Sequence, residues 1–523
     1  MNDEFYFRQF LARGGTRRQF LQAGGGAAGL ILLGALPARR ADAAVRTAAY
    51  PFSLGVASGD PTSRGVVLWT RLAPDPLNGG GMPPQRVRVR WKVAHDESFR
   101  RIVKQGDVLA VPELAHSVHV EVDGLEPGRS YFYRFIYAGE ASRTGRTRTA
   151  AAPGTTPSRL AFAFVSCQDY QSGHYTAHRH LAGEDLDLVV HLGDYIYEGG
   201  VREGATRLHN SPEITTLGDY RNRYALYKGD EDLQASHAAF PYIVTADDHE
   251  VANDYADDHD PKGTPTEVFL QRRAAAYQAY YEHMPLRRSS MPSGPDLPLY
   301  RRLTYGDLAE FNVLDTRQYR AVQPCDNGGA VQDCAAAHTP ESDILGRSQE
   351  AWLLGGLGRS SARWNVLANQ VPFAPMLRRG RDTLGYSMDK WDGYDYSRRR
   401  VLEFMRQHRL SNPIVLTGDV HVSWVAASLA SPDSPPLGTE FVGTSISSGG
   451  DGSEITPEGT LMLEHNPNLK YYSAQRGYVR CTITPELWTS DYRLVPYITR
   501  PGAPIRTDAS FIVENGHPGV HSG

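Results

Sequence analysis

This chain has no excess of lysine and arginine and no long basic run. The formal net charge is -4 at pH 7 and the basic residues are scattered, so there is no basic field for nucleic acid and no nucleic-acid role is assigned. Long hydrophobic runs are scarce as well. The small and apolar stretch from Ala23 to Leu36 is broken by Gly24, Gly25, Gly26, Gly29 and Gly34. It falls short of the about 20 predominantly apolar residues that a span requires, and no other segment spans a membrane. There is no G-x-x-x-x-G-K-[ST] phosphate loop. His249-Glu250-Val251-Ala252-Asn253 lacks the second histidine of a zinc protease, and Gly443-Thr444-Ser445-Ile446-Ser447 lacks the final glycine of a nucleophile elbow. Nucleotide-loop and serine-nucleophile chemistry are set aside on those grounds, and no internal repeat is visible.

Cysteine is limited to four residues. Cys325 and Cys334 bracket the turn-rich stretch 326–333 and are expected to form a disulfide worth roughly 2 to 3 kcal/mol, the alternative being two free thiols. Cys481 sits in an alternating, strand-like segment and reads as a core thiol. Cys167 is then left for chemistry. Thr16-Arg17-Arg18-Gln19-Phe20-Leu21 followed by the small, apolar stretch reads as a twin-arginine signal, and Ala41-Asp42-Ala43 as its cleavage site. The expectation is a signal peptide at 1–43, export by the twin-arginine translocation machinery, and a periplasmic or secreted mature protein beginning near Ala44. An N-terminal anchor left uncut is the alternative. That route carries folded proteins and suits enzymes loaded with a demanding cofactor.

At 523 residues, 41% apolar and 22% charged, the chain is a globular protein too long for one ordinary core. Residues 44–150 hold short alternating strands with turn signals and no helical pattern, which predicts a small all-β sandwich; Leu125-Glu126-Pro127-Gly128 before Tyr131 resembles fibronectin type III modules. A linker at 150–157 leads to a second unit over 158–515. There the apolar runs Leu160 to Val165 and Leu186 to Leu192 flank a helical pattern, which predicts a parallel βαβ unit. The runs Tyr242 to Ala246, Ala309 to Leu314, Trp364 to Ala368 and Pro413 to Thr417 repeat the theme. Segments from Glu440, Tyr478 and Trp488 onward could complete a second sheet, and Asn515 to Gly523 reads as a weakly ordered tail.

Polar residues collect just past these runs, where open α/β sheets bind ligands. Asp194 and Tyr197 follow the second run three residues apart, and a carboxylate there can bridge two cations. Cys167 ends the preceding run. Thiolate, phenolate and carboxylate together suit Fe(III). Asp248 can bind a hard cation and His249 can protonate a leaving oxygen. Asp419 and His421 project to the same side of an extended segment. Each has a plainer reading: Cys167 as a small buried hydrophobe, Tyr197 as a packed aromatic, Asp247-Asp248-His249-Glu250 as solvated surface.

The ordered set resembles the PhoD family of alkaline phosphatases and phosphodiesterases, within the metallophosphoesterase superfamily. Ser58-Gly59-Asp60-Pro61, Val67-Leu68-Trp69-Thr70-Arg71, Ser166-Cys167-Gln168, Gly193-Asp194-Tyr195-Ile196-Tyr197-Glu198, Asp247-Asp248-His249-Glu250, Asn369-Gln370-Val371, Trp391-Asp392-Gly393-Tyr394 and Gly418-Asp419-Val420-His421 carry the likeness. It implies an α/β, or α+β, two-sheet metallophosphoesterase sandwich flanked by helices behind the N-terminal β domain. It implies Fe(III) and Ca²⁺, with Cys167, Asp194, Tyr197, Asp248, Asn369, Asp419 and His421 as metal ligands and Asp392 as a further candidate. Oxygen donors at Asp248 and Asp419, where the superfamily has nitrogen, draw the second position towards calcium. The expected activity is hydrolysis of phosphate mono- and diesters for phosphate scavenging, by in-line attack of a metal-bound hydroxide, with Asp194 and His249 as catalytic residues. Small-molecule phosphate esters are the expected partners and a monomer the favoured state. Two other readings stand beside it: a phospholipase D-like phosphodiesterase acting on phospholipid head groups, and a catalytically inactive exported metal-stabilised binding protein.

Overall fold

Alternation along the apolar runs sets the architecture. In the strand Leu160–Val165, Phe162 and Phe164 face one core while Ala161, Ala163 and Val165 face another. A strand buried on both faces must be covered on both, and here a second sheet covers one and helices the other. The computed structural model describes residues 49–325, 330–380, 383–431 and 434–523. The twin arginines at Arg17 and Arg18 and the Ala41-Asp42-Ala43 segment lie outside the described residues.

The first sheet has ten strands and the second seven. At the centre of the first, Leu160–Val165, Leu188–His191 and Pro241–Val244 run parallel, with the helix Thr176–Ala182 between the first two. The second holds Ala309–Val313, Trp364–Ala368, Pro413–Thr417 and Thr439–Val442 in parallel. Phe162, Val190 and Ile243 of one sheet and Phe311, Val366, Leu416 and Phe441 of the other form the shared core. The helices Leu217–Lys228, Glu231–Ala239 and Thr266–His283 cover the outer face of the first sheet through Tyr220, Tyr224, Leu233 and Tyr280. Leu353, Leu357, Val401 and Met405, from the helices Gly346–Leu357 and Asp395–Gln407, cover Leu367 and Val415 of the second. Among the described residues no helix is long and apolar enough to cross a membrane.

The N-terminal strands divide between two sheets. Val87–Ala94, Ile102–Ala110, Ser130–Tyr137, Glu140–Ala141 and Gly145–Arg148 form a five-stranded sheet of their own. Val56–Thr62, Gly65–Arg71 and Ser117–Val122 instead extend the ten-stranded sheet, with Ser58 and Gly59 registered in parallel on Pro241 and Tyr242. Both sets share a core of Val66, Leu68, Val89, Val93, Tyr131 and Phe135, so one layer of the N-terminal sandwich is continuous with the central sheet. The C-terminal segment differs from expectation. Arg476–Ile483 and Leu487–Val495 join the first sheet rather than the second, and the expected loose tail contributes the strand His521–Ser522, paired to Phe511 and Ile512. Its backbone groups complete the edge of Arg506–Glu514, which alternation alone does not reveal.

Register positions the site. His191 pairs with Val165 on one side and Val244 on the other, so residues following all three strands emerge together. Ala368 likewise aligns with Leu416, and Thr417 with Val442.

Candidate metal centre

The loops past these strand ends are stitched by backbone hydrogen bonds. Cys167 N donates to Gly193 O at 3.1 Å, Gln168 N to Asp194 O at 3.0 Å, and Gly418 N to Gln370 O at 3.0 Å. The turns are sharp enough to need left-handed backbone at non-glycine residues. Cys167 has φ 58°, Asp194 φ 55°, Asp419 φ 64° and His421 φ 56°. Such conformations cost of order 1–3 kcal/mol each and persist where surrounding structure imposes them, commonly at functional sites. Gly193, at φ 109°, must be glycine because a Cβ there would run into Asp247.

Three clusters of donor atoms result, each within 4.8 Å: Cys167, Asp194 and His421; Asp194, Asp248 and His249; Asp247, Asp248 and Asp419. They share Asp194 and Asp248 and so form one continuous site. Tyr197 joins the first. Its hydroxyl donates to Asp194 Oδ2 at 3.0 Å and lies 3.1 Å from His421 Nε2, with the Ser448 hydroxyl at 2.7 Å. His249 Nδ1 lies 2.7 Å from Glu198 Oε2, and its ring centroid is 4.1 Å from that of Tyr197.

The electrostatics are those of a buried anionic donor set. Burial, then the neighbouring Asp194 carboxylate, pushes the Cys167 thiol well above its ordinary range. Burial, Asp194 and Cys167 do the same to the Tyr197 phenol. Asp194 is raised by burial and by Asp248 and Asp247 against the opposing pull of His249, and Asp247 by burial despite Arg317. Burial and the positive charge of Arg476 push His421 down to about 3, leaving its imidazole neutral with a lone pair to give. Burial disfavours His249's charge, yet Glu198, Asp194 and Asp248 outweigh it and hold the imidazolium well above the usual range. Asp248 stays ionised because Arg317, then His249, overcomes its burial.

Oδ1 of Asp194 and Oδ2 of Asp247 are buried without a hydrogen-bond partner. Buried carboxylate oxygens carry a large desolvation cost unless a positive charge meets them. Ligands of these types exchange protons for a cation, so the donor set fits bound metal ions. Sulfur, phenol and imidazole gather at one end of the cluster, and oxygen alone at the other.

Of the residues expected from sequence, Cys167, Asp194, Tyr197, Asp248, His249, Asp419 and His421 come together. Asn369 and Asp392 are absent from the three clusters and contact neighbouring side chains and backbone. Asn369 Oδ1 accepts from Trp391 Nε1 at 3.1 Å while its amide nitrogen donates to Val371 O and to Thr417 Oγ1. Asp392 is held by Arg398 at 2.5 Å and by the Met376 N–H at 3.2 Å. Cys325 and Cys334 form a disulfide, whereas Cys167 and Cys481 are free and buried.

Sequence reasoning passed over several residues that organise the site. Arg317 is fully buried and contacts Asp247, Asp389 at 3.1 Å and Asp419 at 3.3 Å. Lys390 pairs with Asp389 at 2.9 Å and with Asp419. Glu250 accepts backbone N–H groups from Asp194 at 3.1 Å, Tyr195 at 2.5 Å and Asp247 at 2.7 Å. Arg317 follows the end of the strand Ala309–Val313, a position where it was open to notice; nothing local marks Lys390 or Ser448.

Comparisons with known proteins agree along nearly the whole chain. The PhoD-like phosphatase family matches residues 162–492 and the PhoD-like phosphatase N-terminal domain residues 38–151. Alkaline phosphatase D of Bacillus subtilis (strain 168) is 53% identical over 516 residues, covering 96% of this chain and 88% of the relative. The solved structure of PhoD superposes with a TM-score of 0.89 at 54% identity, covering 91% of this chain and 93% of that one.

Proposed function

The chain belongs to the PhoD-like phosphatase family and is a metal-dependent phosphoester hydrolase, and from that premise we propose how its residues divide the work. The single observation that carries the reading is the run of three donor clusters sharing Asp194 and Asp248. Cys167, Asp194, Tyr197 and His421 would hold Fe(III), because thiolate and phenolate favour it over alkaline-earth cations. Asp248 and Asp419, with Asp247 beside them, would hold Ca²⁺, which takes oxygen donors. Asp194, common to two clusters, would bridge. Asn369 Oδ1 accepts from Trp391 and keeps a second lone pair, so Asn369 would remain a candidate ligand whose amide is oriented by Trp391 and Val371. Bound cations would lower the pKa of water and neutralise phosphoryl charge.

The remaining work falls to the chain itself. His249, aimed by Glu198 through Nδ1, would keep Nε2 for the leaving oxygen and supply it a proton or a hydrogen bond. Arg317 and Lys390 hold Asp247, Asp389 and Asp419 in place. Glu250 ties the Asp194 loop to the Asp247 loop, fixing the separation of the two halves. No side chain is placed as a covalent nucleophile in this scheme; water is the acceptor of the phosphoryl group.

We extend the proposal to the parts of the reading that concern setting. The two-sheet core is of metallophosphoesterase type and the N-terminal unit over 44–150 fibronectin III-like, with 158–515 as the catalytic unit. Arg17-Arg18 would direct twin-arginine export to the periplasm or medium, where an alkaline phosphatase/phosphodiesterase scavenges phosphate as a monomer. The test is turnover of p-nitrophenyl phosphate and bis-p-nitrophenyl phosphate after loading with iron and calcium. Hydrolysis is expected, and the ratio of the two rates separates monoester from diester preference. No turnover of either would favour an inactive metal-stabilised binding protein.

A further inference from the structure

A cavity of about 350 Å³ adjoins the donor clusters. Its apolar wall includes Met376, Val420, Val422, Trp424, Met462 and Tyr472. Met376, Trp424, Met462 and Tyr472 belong to a small hydrophobic cluster separate from the main cores, with Val420 and Val422 packed on it. Two residues tie the cavity to the centre. Val420 stands between Asp419 and His421 in the chain, and Lys390, which lines the cavity, carries its ammonium against Asp419. A group seated there is therefore within one side chain of the proposed cation ligands.

The charges around the cavity are already spoken for. Arg378 faces Glu458 at 3.8 Å, Lys390 faces Asp389 and Asp419, and Asp392 is bound by Arg398. Glu458 is shared by Arg378 and Arg379, so both carboxylates of the lining are taken and none is left for a cationic occupant. Burial of a cationic alcohol among these walls would go uncompensated. The indole N–H of Trp424 makes no hydrogen bond and is itself closed off, so what Trp424 adds to the lining is apolar ring surface. Met376 and Met462 are unbranched and adapt to irregular shapes. A volume of this size lies at the lower end of small-molecule sites.

We propose that this cavity receives the organic portion of the phosphate ester and selects an uncharged, carbon-rich alcohol. The inference rests on the hydrolase reading above and adds to it a substrate class. Met462 and Trp424 are specificity-determining residues in this scheme, distant in sequence from each other and from most of the ligands. Tyr472, fixed by a 2.7 Å hydrogen bond between its hydroxyl and Thr456 Oγ1, closes one side.

The test compares kcat/KM of the metal-loaded enzyme for methyl phosphate, cyclohexylmethyl phosphate and phosphocholine, measured by phosphate release. All three are esters of primary alkyl alcohols or of methanol, so differences report chiefly on the organic group. The cyclohexylmethyl ester is expected to exceed the methyl ester by a factor on the order of ten or more, since each well-packed methylene contributes about tenfold or better. Phosphocholine is expected to show no such gain. In Met462→Gln the ratio of cyclohexylmethyl to methyl values should fall towards unity, a readout independent of how much enzyme is folded. A wild-type ratio near unity, a preference for phosphocholine, or a Met462→Gln ratio equal to wild type would each overturn the proposal while leaving the hydrolase reading intact. Absence of turnover with all three esters would overturn that reading and the pocket with it.

Discussion

Glu250 accepts the backbone N–H of Asp194 at 3.1 Å, and the same carboxylate accepts those of Tyr195 and Asp247. Two loops from neighbouring strands are thereby locked by one side chain. Burial, opposed by these three hydrogen bonds, raises its pKa to about 7. Glu250→Gln puts an NH₂ group where an acceptor was, setting a donor against a donor. The expected loss is about 1–3 kcal/mol, the cost of a buried group left unsatisfied. Thermal unfolding with and without added metal measures it, and the metal-induced rise in Tm should be smaller in the variant. Unchanged Tm and unchanged metal retention would remove Glu250 from the frame of the site.

Arg317 bears the other half of the burden. Its guanidinium is fully buried among Asp247, Asp248, Asp389 and Asp419, with Asp254 at 4.0 Å. Removing one partner from a buried ionic network leaves charges uncompensated and costs about 3–5 kcal/mol. Arg317→Met should therefore unfold at markedly lower denaturant concentration. Arg317→Lys keeps the charge but loses the fork that serves several carboxylates at once, and should recover only part of the loss. Equal stability of all three proteins would show that the network contributes nothing net.

The strand ends were legible because apolar runs stop abruptly at polar residues. Cys167, Asp194, Asp248 and Asp419 all stand within a few residues of such a stop. Arg317, Lys390 and Glu250 were not read as site residues, since their roles exist only when segments far apart in the chain meet. Trp391 illustrates the same limit: its indole donates to Asn369, a residue expected as a ligand, and nothing in the sequence shows that contact. The continuation of the central sheet through Val56–Thr62 was hidden because alternation reports a strand and one buried face, never which strand lies beside it. His521–Ser522 was hidden because two residues are too few to show a period.

Lys228 provides a pH test away from the donor clusters. It is buried with no carboxylate partner among the described residues, its Nζ 4.3 Å from the Trp69 ring centroid and 5.1 Å from that of Tyr195. Burial pushes its pKa from 10.5 down to about 7. Between those values the unfolded chain keeps a proton that the folded chain has shed, so stability rises with pH through that window. Lys228→Met removes both the titration and the cost of a buried amine. The variant should unfold at a higher temperature than wild type at pH 7, and its lead should shrink as pH approaches 10.5. A lead independent of pH would mean that the lysine is not the group titrating.

Tyr197 carries the prediction about metal identity. Its hydroxyl meets Asp194 at 3.0 Å, His421 at 3.1 Å and Ser448 at 2.7 Å, and its phenol is pushed well above its usual pKa by burial, Asp194 and Cys167. A phenol so placed ionises only against a strong positive charge, and a ferric ion is the proposed one. Phenolate and thiolate bound to Fe(III) absorb visible light by transferring charge to the metal. The purified, loaded protein should therefore be coloured and should contain iron by elemental analysis. Tyr197→Phe leaves the ring and its packing against His249 but removes the oxygen, so the band should shift or vanish while the far-ultraviolet circular dichroism stays that of wild type. Calcium chelation should lower activity and leave the band in place, because the all-oxygen cluster of Asp247, Asp248 and Asp419 shares no residue with the cluster that Tyr197 joins. A colourless, fully active protein containing only zinc would refute the ferric assignment, and would leave Cys167, Asp194 and His421 as ligands of a different ion.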